Sequence, residues 1–559
     1  VKNLSDKERA VRLFFAHDFQ ICGNNIGDTA EFRPENRSLL HYKGERYFLI
    51  NVYANGKYGI EQFATGNKII GRFEGAWKDA EDGVLSFNPI AQGSVDSVVG
   101  ISLKLPPKGE VTCFYYISCG KNWEEVKELN ELVRKKGPEL FLNRTRDYWK
   151  LWVNKEPINA ALLSPKLLRL YKRSLLITRS QINNCGSIIA GNDSDVMRFN
   201  RDTYSYVWPR DGALVAHALD LAGYGSTVEF YNFCNKIIEK EGYFLHKYTP
   251  AGSLASSWHP WLKDKKSQLP IQEDETALVL WALWKHYEIF KDIEFIKPLY
   301  KSLIKRAADF MMGYRDEKTG LPLPSYDLWE ERHGVLTFTV STVYGGLMAA
   351  SKFADSFGEK DLAKEYYEGA IRMKEGMNQY LYLEKERRFA RMVNFNQEGS
   401  IEVDSTIDAS LYGIFAFGAY SPEDEKVRNT MEQVYSKLWH VESGGLFRYE
   451  DDSFYRVNGG DKSNPWFVTT LWMAKYYIVL AKEKKDLLKA FEILEWVADH
   501  ALLSGVLAEQ INPITHEPLS VSPLTWSHGT FISTLQEYLN KLLEIEKCPT
   551  CGHSKYEKE

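Results

Sequence analysis

Two kinds of helix alternate along the chain from about residue 161 to 546, and this alternation constrains the fold more tightly than any other feature. One kind is amphipathic with a charged outer face, as at 295–314, 359–380, 422–438 and 485–502. In the last of these, Leu487, Leu488, Phe491, Leu494 and Val497 share one stripe. The other kind is apolar nearly all round, as at 277–284 and 467–474, and a helix of that composition must be covered on more than one side. The pattern contains about twelve helices, which places an inner ring of buried helices inside an outer ring of amphipathic ones, a double-layered all-α toroid. The segments are not strict repeats, which argues against an open-ended solenoid.

The unusual loops all precede a buried helix. They are Trp208-Pro209-Arg210-Asp211, Gln272-Glu273-Asp274-Glu275, the run from Ser325 to Glu331, Glu402-Val403-Asp404, the run from Arg448 to Asp452, Asn464-Pro465-Trp466, Ala508-Glu509-Gln510 and Pro523-Leu524-Thr525-Trp526. With the inner helices parallel, these loops share one rim and surround one hole. Acidic groups at helix starts have a plainer use in offsetting the helix dipole. Arg210 runs against that explanation, and the clustered tryptophans fall outside it. In Tyr326-Asp327-Leu328-Trp329-Glu330-Glu331 neighbouring carboxylates stand behind aromatics, after the extended approach Leu321-Pro322-Leu323-Pro324. Taken alone, that loop reads either as a charged solvent-facing turn or as a pair of carboxyls in different protonation states.

The first 121 residues carry a different signal. The runs 47–53, 57–60, 85–87, 97–103 and 111–117 are strand-like, with Asn55-Gly56 as a hairpin turn and Pro106-Pro107-Lys108-Gly109 as another. They predict an antiparallel β-sandwich over 1–121, a helical linker over 122–160, a helical domain over 161–546 and a polar tail over 547–559. Ser164-Pro165 supplies the cap and first-turn proline that open the helical domain.

Composition narrows the function class. A net charge of -5 gives no electrostatic reason to expect nucleic acid or an anionic membrane as partner. No apolar run is long enough to span a bilayer, and Val1-Lys2-Asn3-Leu4 does not read as a signal peptide. Seven cysteines, at 22, 113, 119, 185, 234, 548 and 551, look like reduced thiols, so a cytoplasmic location is expected. Cys548, Cys551 and His553 form half of a zinc knuckle, one ligand short of a structural site; a disordered tail is the competing reading. No other metal spacing, Walker or dinucleotide fingerprint occurs, and no cofactor is expected.

A pocket lined by Trp, an Arg-Asp pair and several carboxylates suits a neutral polyhydroxylated ligand, a sugar, and two carboxyls in opposite protonation states suit glycosidic hydrolysis. Several motifs now make a resemblance. Tyr206-Val207-Trp208-Pro209-Arg210-Asp211-Gly212, then Tyr326 to Glu331, Asn464-Pro465-Trp466-Phe467, Ala508-Glu509-Gln510 and Leu524-Thr525-Trp526-Ser527 occur in that order. In these the chain resembles the glucoamylase, glucodextranase and trehalase family, glycoside hydrolase family fifteen, in the form with an N-terminal β-sandwich.

The resemblance implies an (α/α)6 barrel and an inverting exo-hydrolase that releases β-glucose from the non-reducing ends of maltooligosaccharides or α-glucans. It implies Glu330 as general acid and Glu509 as general base, with the two carboxyls roughly 6.5–9.5 Å apart. It implies substrate contacts from Tyr204, Trp208, Arg210, Asp211, Trp329, Glu331, Arg448, Trp466 and Trp526. Trehalose and α-1,6-glucans are alternative substrates within the family, and a disaccharide phosphorylase or a glycan-binding protein without turnover are alternatives outside it. Plainer readings stand beside these: Glu509 as an ordinary rim carboxylate, Trp466, Trp526, Trp281 and Trp284 as core, His333 and His528 as structural, and Glu273, Asp274 and Glu275 as helix-start acids.

Overall fold

The structure is a computed structural model that describes residues 1–69, 75–192, 202–263, 265–396, 400–457 and 463–547. Cys548, Cys551 and His553 lie outside the described residues. The chain forms two compact units, Val1–Trp152 and Val153–Glu559.

In the first unit, strands β1 (Arg9–His17), β8 (Val95–Leu105) and β6 (Gln62–Asn67) make a three-stranded antiparallel sheet in the order β1-β8-β6. A second antiparallel sheet runs β5 (Lys57–Tyr58), β4 (Arg46–Ala54), β3 (Ser38–Lys43), β2 (Asp28–Arg33), β7 (Ile90–Gly93), with β9 (Phe114–Gly120) paired to β4. Leu39, Ile50 and Val52 from the second sheet share one buried cluster with Val99, Ile101 and Leu103 from the first, which makes the pair a sandwich. The hairpin at Asn55-Gly56 has φ of 52° and 73°, the left-handed pair that a two-residue turn between twisted strands requires. One strand expected from sequence is missing: 85–87 is irregular, because Phe87 takes φ 59° and its amide donates to Phe63 O. Two helices close the unit, α1 (Trp123–Lys136), capped by Asn122, and α2 (Pro138–Val153), where sequence suggested a linker.

The second unit is built from paired helices. The outer ones are α3 (Pro165–Ser180), α5 (Val228–Ile237), α7 (Ile293–Leu299), which continues through a π-helical stretch into α8 (Arg306–Gly313), α10 (Lys360–Gly376), α12 (Glu425–Leu438) and α14 (Leu488–Asp499). The inner ones are α4 (Pro209–Leu221), α6 (Glu273–Phe290), α9 (Thr337–Ser356), the short α11 (Gly413–Ala416), α13 (Phe467–Leu480) and α15 (Thr525–Ile545). Each inner helix packs on the next, the 3-10 turn Ala409–Tyr412 bridging from α11 to α13, and α15 packs back on α4 to close the ring. The result is the α/α barrel that the alternation predicts.

Close approach within the ring has a sequence cause. A Cβ at Gly346 of α9 would lie 2.9 Å from the carbonyl oxygen of Ala277 on α6, and one at Gly212 of α4 would lie 2.3 Å from the Phe230 ring on α5. Glycine lets α9 meet the backbone of α6 at the first position and makes room for the Phe230 ring against α4 at the second. The fourth inner helix differs from expectation: 401–404 pairs as a strand with 392–395, so Glu402, Val403 and Asp404 open no helix and α11 begins only at Gly413. Trp281 and Trp284, expected in the core, are half-buried. Trp281 lines a separate cavity of about 220 Å³, and Trp284 donates to Glu288. His528 is structural, fully buried between the Leu507 amide and Ser174 Oγ. His333 is half-buried with its ring edge-on to Tyr326.

Candidate active site

Segments before five of the six inner helices converge on one cavity of about 470 Å³, the described residues before α11 lining none of it. Tyr204, Trp208, Arg210, Asp211, Trp329, Glu330, Arg448, Trp466, Glu509 and Trp526 all line it. Glu331 is the exception among the residues singled out from sequence. Its carboxylate is half-exposed and tied to Arg448 at 2.8 Å, to Arg332 at 2.9 Å and to the Tyr449 hydroxyl.

The helix starts place the aromatics. Trp208 caps α4 ahead of Pro209, whose ring presets the first helical residue, and Trp466 holds the same position before α13. The plainer reading of Trp466 and Trp526 as core is half right. They are only 4% and 6% exposed, yet each closes a wall of the cavity. Their indole N–H groups have no protein partner among the described residues, nor does Arg210 Nε. Buried donors left unpaired are costly, and a cavity wall that carries them is suited to a ligand rich in hydroxyls.

Arg210 sits in the first turn of α4, where a cation opposes the helix dipole. Carboxylates offset it: Asp211 and Asp274 each at 3.2 Å and Glu275 at 3.7 Å, with Gln272 Oε1 accepting from the same guanidinium. Burial pushes Asp211 up to about 6 against the pull of Arg210. The helix-start acids Glu273, Asp274 and Glu275 are fully buried. Burial pushes Glu273 and Glu275 well above the usual carboxylate range, with Arg210 pulling Glu275 the other way.

The acid loop is a tight turn pinned by Asp327. Its Oδ1 accepts from the amides of Glu331 at 2.7 Å and Arg332 at 3.0 Å, and its carbonyl accepts from the Glu330 amide at 2.9 Å. Glu330 takes φ 65°, a conformation that costs a non-glycine residue about 1 kcal/mol or more and is held only where neighbours impose it. Trp329 donates to both oxygens of Asp408, at 3.2 and 3.1 Å, which fixes its indole in the wall. Glu330 Oε1 accepts from Trp208 Nε1, and Oε2 lies 3.0 Å from His246 Nε2. Burial pushes Glu330 up, but His246, Arg210 and Lys247 together outweigh it and hold the carboxyl at about 2.

Glu509 precedes the short strand Gln510–Ile511 and is 5% exposed. Its side-chain contacts are long, 3.4 Å from the Tyr204 hydroxyl and 3.4 Å from Gln510 Nε2. Burial raises it to about 7, against the opposing influence of Ser520, Arg448, Gln510 and Tyr204. Arg448 is clamped by both oxygens of Asp452, at 2.7 and 2.8 Å, with its guanidinium 4.8 Å from the centres of Trp466 and Phe454.

Several lining residues escaped the sequence reading: Asp202, Lys247, Trp258 and Phe454. Lys247 is 3% exposed, with Nζ 4.9 Å from Trp208 and 4.4 Å from Trp258. Lys247 and Trp258 lie in the long stretch between α5 and α6, and connections of more than about 12–15 residues without helix are uncommon outside functional sites. Among the described residues no group of His, Cys, Asp and Glu side chains could hold a metal ion, and no helix is long and apolar enough to cross a membrane.

Comparison with known proteins gives concordant results. The model of Glycosyl hydrolases family 15 matches residues 166–493. An uncharacterized glycosyl hydrolase of Methanocaldococcus jannaschii is 28% identical over 556 residues, 96% of this chain and 83% of that one. A glucoamylase of Clostridium sp. is 24% identical over 79% of this chain, which spans 62% of that enzyme's length. Trehalase 1 of Sulfolobus acidocaldarius is 22% identical over 82% of this chain and 77% of its own. A bacterial glucoamylase solved in complex with acarbose superposes with a TM-score of 0.73 and 19% identity, over 95% of this chain and 77% of that structure.

Proposed function

The chain belongs to the glycosyl hydrolases family 15 and is a glycoside hydrolase, and from that premise we propose that it removes β-glucose from the non-reducing ends of maltooligosaccharides or α-glucans with inversion. The observation that carries the reading is the pairing of Glu330 and Glu509 in one cavity with unpaired donors in its walls. Glu330 protonates the leaving oxygen, and Glu509 takes a proton from the water that attacks the opposite face of the sugar. The buried Arg210 and Asp211 receive the terminal hydroxyls, and a charged group there blocks the chain from running further, which is what exo action needs. Tyr204, Trp208, Trp329, Trp466 and Trp526 supply flat faces for the ring, and Arg448, anchored by Asp452 and Glu331, fixes a wall of the cavity.

Trehalose is the second reading. It ends in the same α-linked glucose, and the likeness to Trehalase 1 extends over most of the chain. A phosphorylase has no use for a second carboxylate, so Glu509 in the cavity weighs against that chemistry. Proton NMR of fresh products from maltotriose, isomaltose and trehalose, with and without phosphate, tests the proposal. Prompt β-glucose from maltotriose, independent of phosphate and lost in Glu509→Gln, is the expected result. Glucose 1-phosphate formed only with phosphate, or α-glucose as first product, overturns it.

A further inference from the structure

The leaving oxygen needs a proton, while Glu330 sits among donors and cations that strip it of one. His246 Nε2 stands 3.0 Å from Glu330 Oε2, and its Nδ1 is 2.9 Å from Ser257 Oγ. A hydroxyl both donates and accepts, so Ser257 can hold His246 in either neutral tautomer or in the charged form. His259 lies parallel to His246 at 4.0 Å and to Tyr326 at 3.9 Å. Its protonation follows from hydrogen bonding. Gln272 Oε1 is taken by Arg210, so the Gln272 amide nitrogen faces His259 Nε2 at 3.2 Å and must donate to it. His259 is therefore neutral, and of the stacked pair only His246 is free to carry charge.

The other groups around His246 frame it. Lys247 adjoins it and is 3.7 Å from Asp202, Trp258 meets it edge-on at 4.8 Å, Trp208 edge-on at 6.3 Å, and Arg210 acts through Gln272 and His259. Glu330 is the one carboxylate within ion-pair distance of it among the described residues.

We propose that His246 is a positioning residue that stores the proton of the acid. The His246–Glu330 pair carries one proton, which moves from Nε2 to Oε2 and on to the glycosidic oxygen as the C–O bond breaks. In that step the Nε2–H bond breaks and Oε2–H forms, then Oε2–H breaks as the leaving sugar gains its hydroxyl. His246 is left neutral and Glu330 ionised. The attacking water gives its own proton to Glu509, and exchange of one proton from Glu509 through solvent back to His246 restores the starting state. The pair must hold that proton for turnover, so its loss sets the basic limb of activity. The inference rests on the assignment of Glu330 as the acid.

The test uses His246→Gln, whose amide can keep a contact to Glu330 but holds no transferable proton, beside Glu330→Gln as reference. kcat and KM are measured against pH on maltotriose and on α-glucosyl fluoride, whose leaving group needs no proton. His246→Gln is expected to lower kcat on maltotriose by about 10- to 100-fold, within the range for general acid-base assistance, with KM changed less than about threefold. The basic limb moves to lower pH, and fluoride hydrolysis stays near wild type. Ser257→Ala, which leaves His246 in place, shifts the same limb by less, and it serves as the test if His246→Gln melts early. A wild-type limb and kcat in His246→Gln, or an equal loss on both substrates, overturns the proton store. Should Glu330→Gln itself lack the selective loss on maltotriose, the assignment of Glu330 fails and His246 falls with it.

Discussion

Glu330 and Glu509 line one cavity and are both largely withdrawn from water, yet the protein surrounds them with opposite chemistry. Glu330 lies in a strained turn, with Trp208 on one oxygen, His246 on the other, and the Trp258 indole donating to its carbonyl at 3.2 Å. Glu509 lies at a bend just before a short strand, its amide bonded to Val521 O at 3.0 Å, and its carboxyl meets the Tyr204 hydroxyl and Gln510 Nε2 only at 3.4 Å each. The first is driven down to about 2 and the second up to about 7. Burial raises both, and the neighbours decide the sign. The surroundings thus favour the ionised form of Glu330 and the neutral form of Glu509, the reverse of what the proposed reaction uses. A proton has to reach Glu330 and Glu509 has to be free of one before turnover, which makes the groups facing each carboxyl part of the mechanism.

The largest expected effect separates the two carboxyls. Glu330→Gln lowers kcat on maltotriose by about 10²–10⁴-fold and leaves α-glucosyl fluoride nearly untouched, whereas Glu509→Gln loses both substrates, since water must still be activated. Steady-state kinetics on the two substrates would show it, and similar losses from both variants would erase the distinction.

Next comes pH. Glu509 must be ionised to act and its carboxyl is raised to about 7, so kcat/KM is expected to fall about tenfold per pH unit below that value, the acidic limb of a profile whose basic limb is set by the acid's proton. A plateau reaching down to pH 5 would show that Glu509 is not the base, or not in this environment.

Asp327→Ala sharpens the contrast between the strained turn at Glu330 and the backbone at Glu509. Removing the acceptor of two amides costs about 1–3 kcal/mol in denaturant unfolding and releases Glu330 from φ 65°, so kcat falls more than KM changes. Tyr204→Phe is the smallest expected effect. Its hydroxyl favours ionised Glu509, so its loss moves the acidic limb upward by a few tenths of a pH unit, readable in the kcat/KM profile.

Much of this was legible in the sequence because hydrophobic period is local. The apolar run of α13 and the striped face of α14 declare inner and outer helices from adjacent residues alone. Trp208, Arg210, Trp466 and Trp526 could be placed at inner-helix starts for the same reason, and placement at a start aims them at a common rim. The fourth inner helix begins later than expected because the acids Glu402 and Asp404, flanking Val403, look like a helix opening, while their strand partners at 392–394 are set by a pairing that no local pattern encodes. Lys247 and Trp258 were missed because their roles depend on rings brought to them from other segments.

The sequence by itself determined the double ring, the sandwich before it and the short loops in which the carboxylates sit, since each follows from which neighbours along the chain are apolar or turn-forming. Only the tertiary structure decided the state of those groups. It set His246 against Glu330, left Glu509 with few donors, buried Glu273 and Glu275, and sent the Glu331 carboxylate to Arg448 and Arg332. The reason is physical: burial periodicity is read within one helix, whereas a charge answers to every group within a few ångströms, and in a closed ring those groups come from distant parts of the chain.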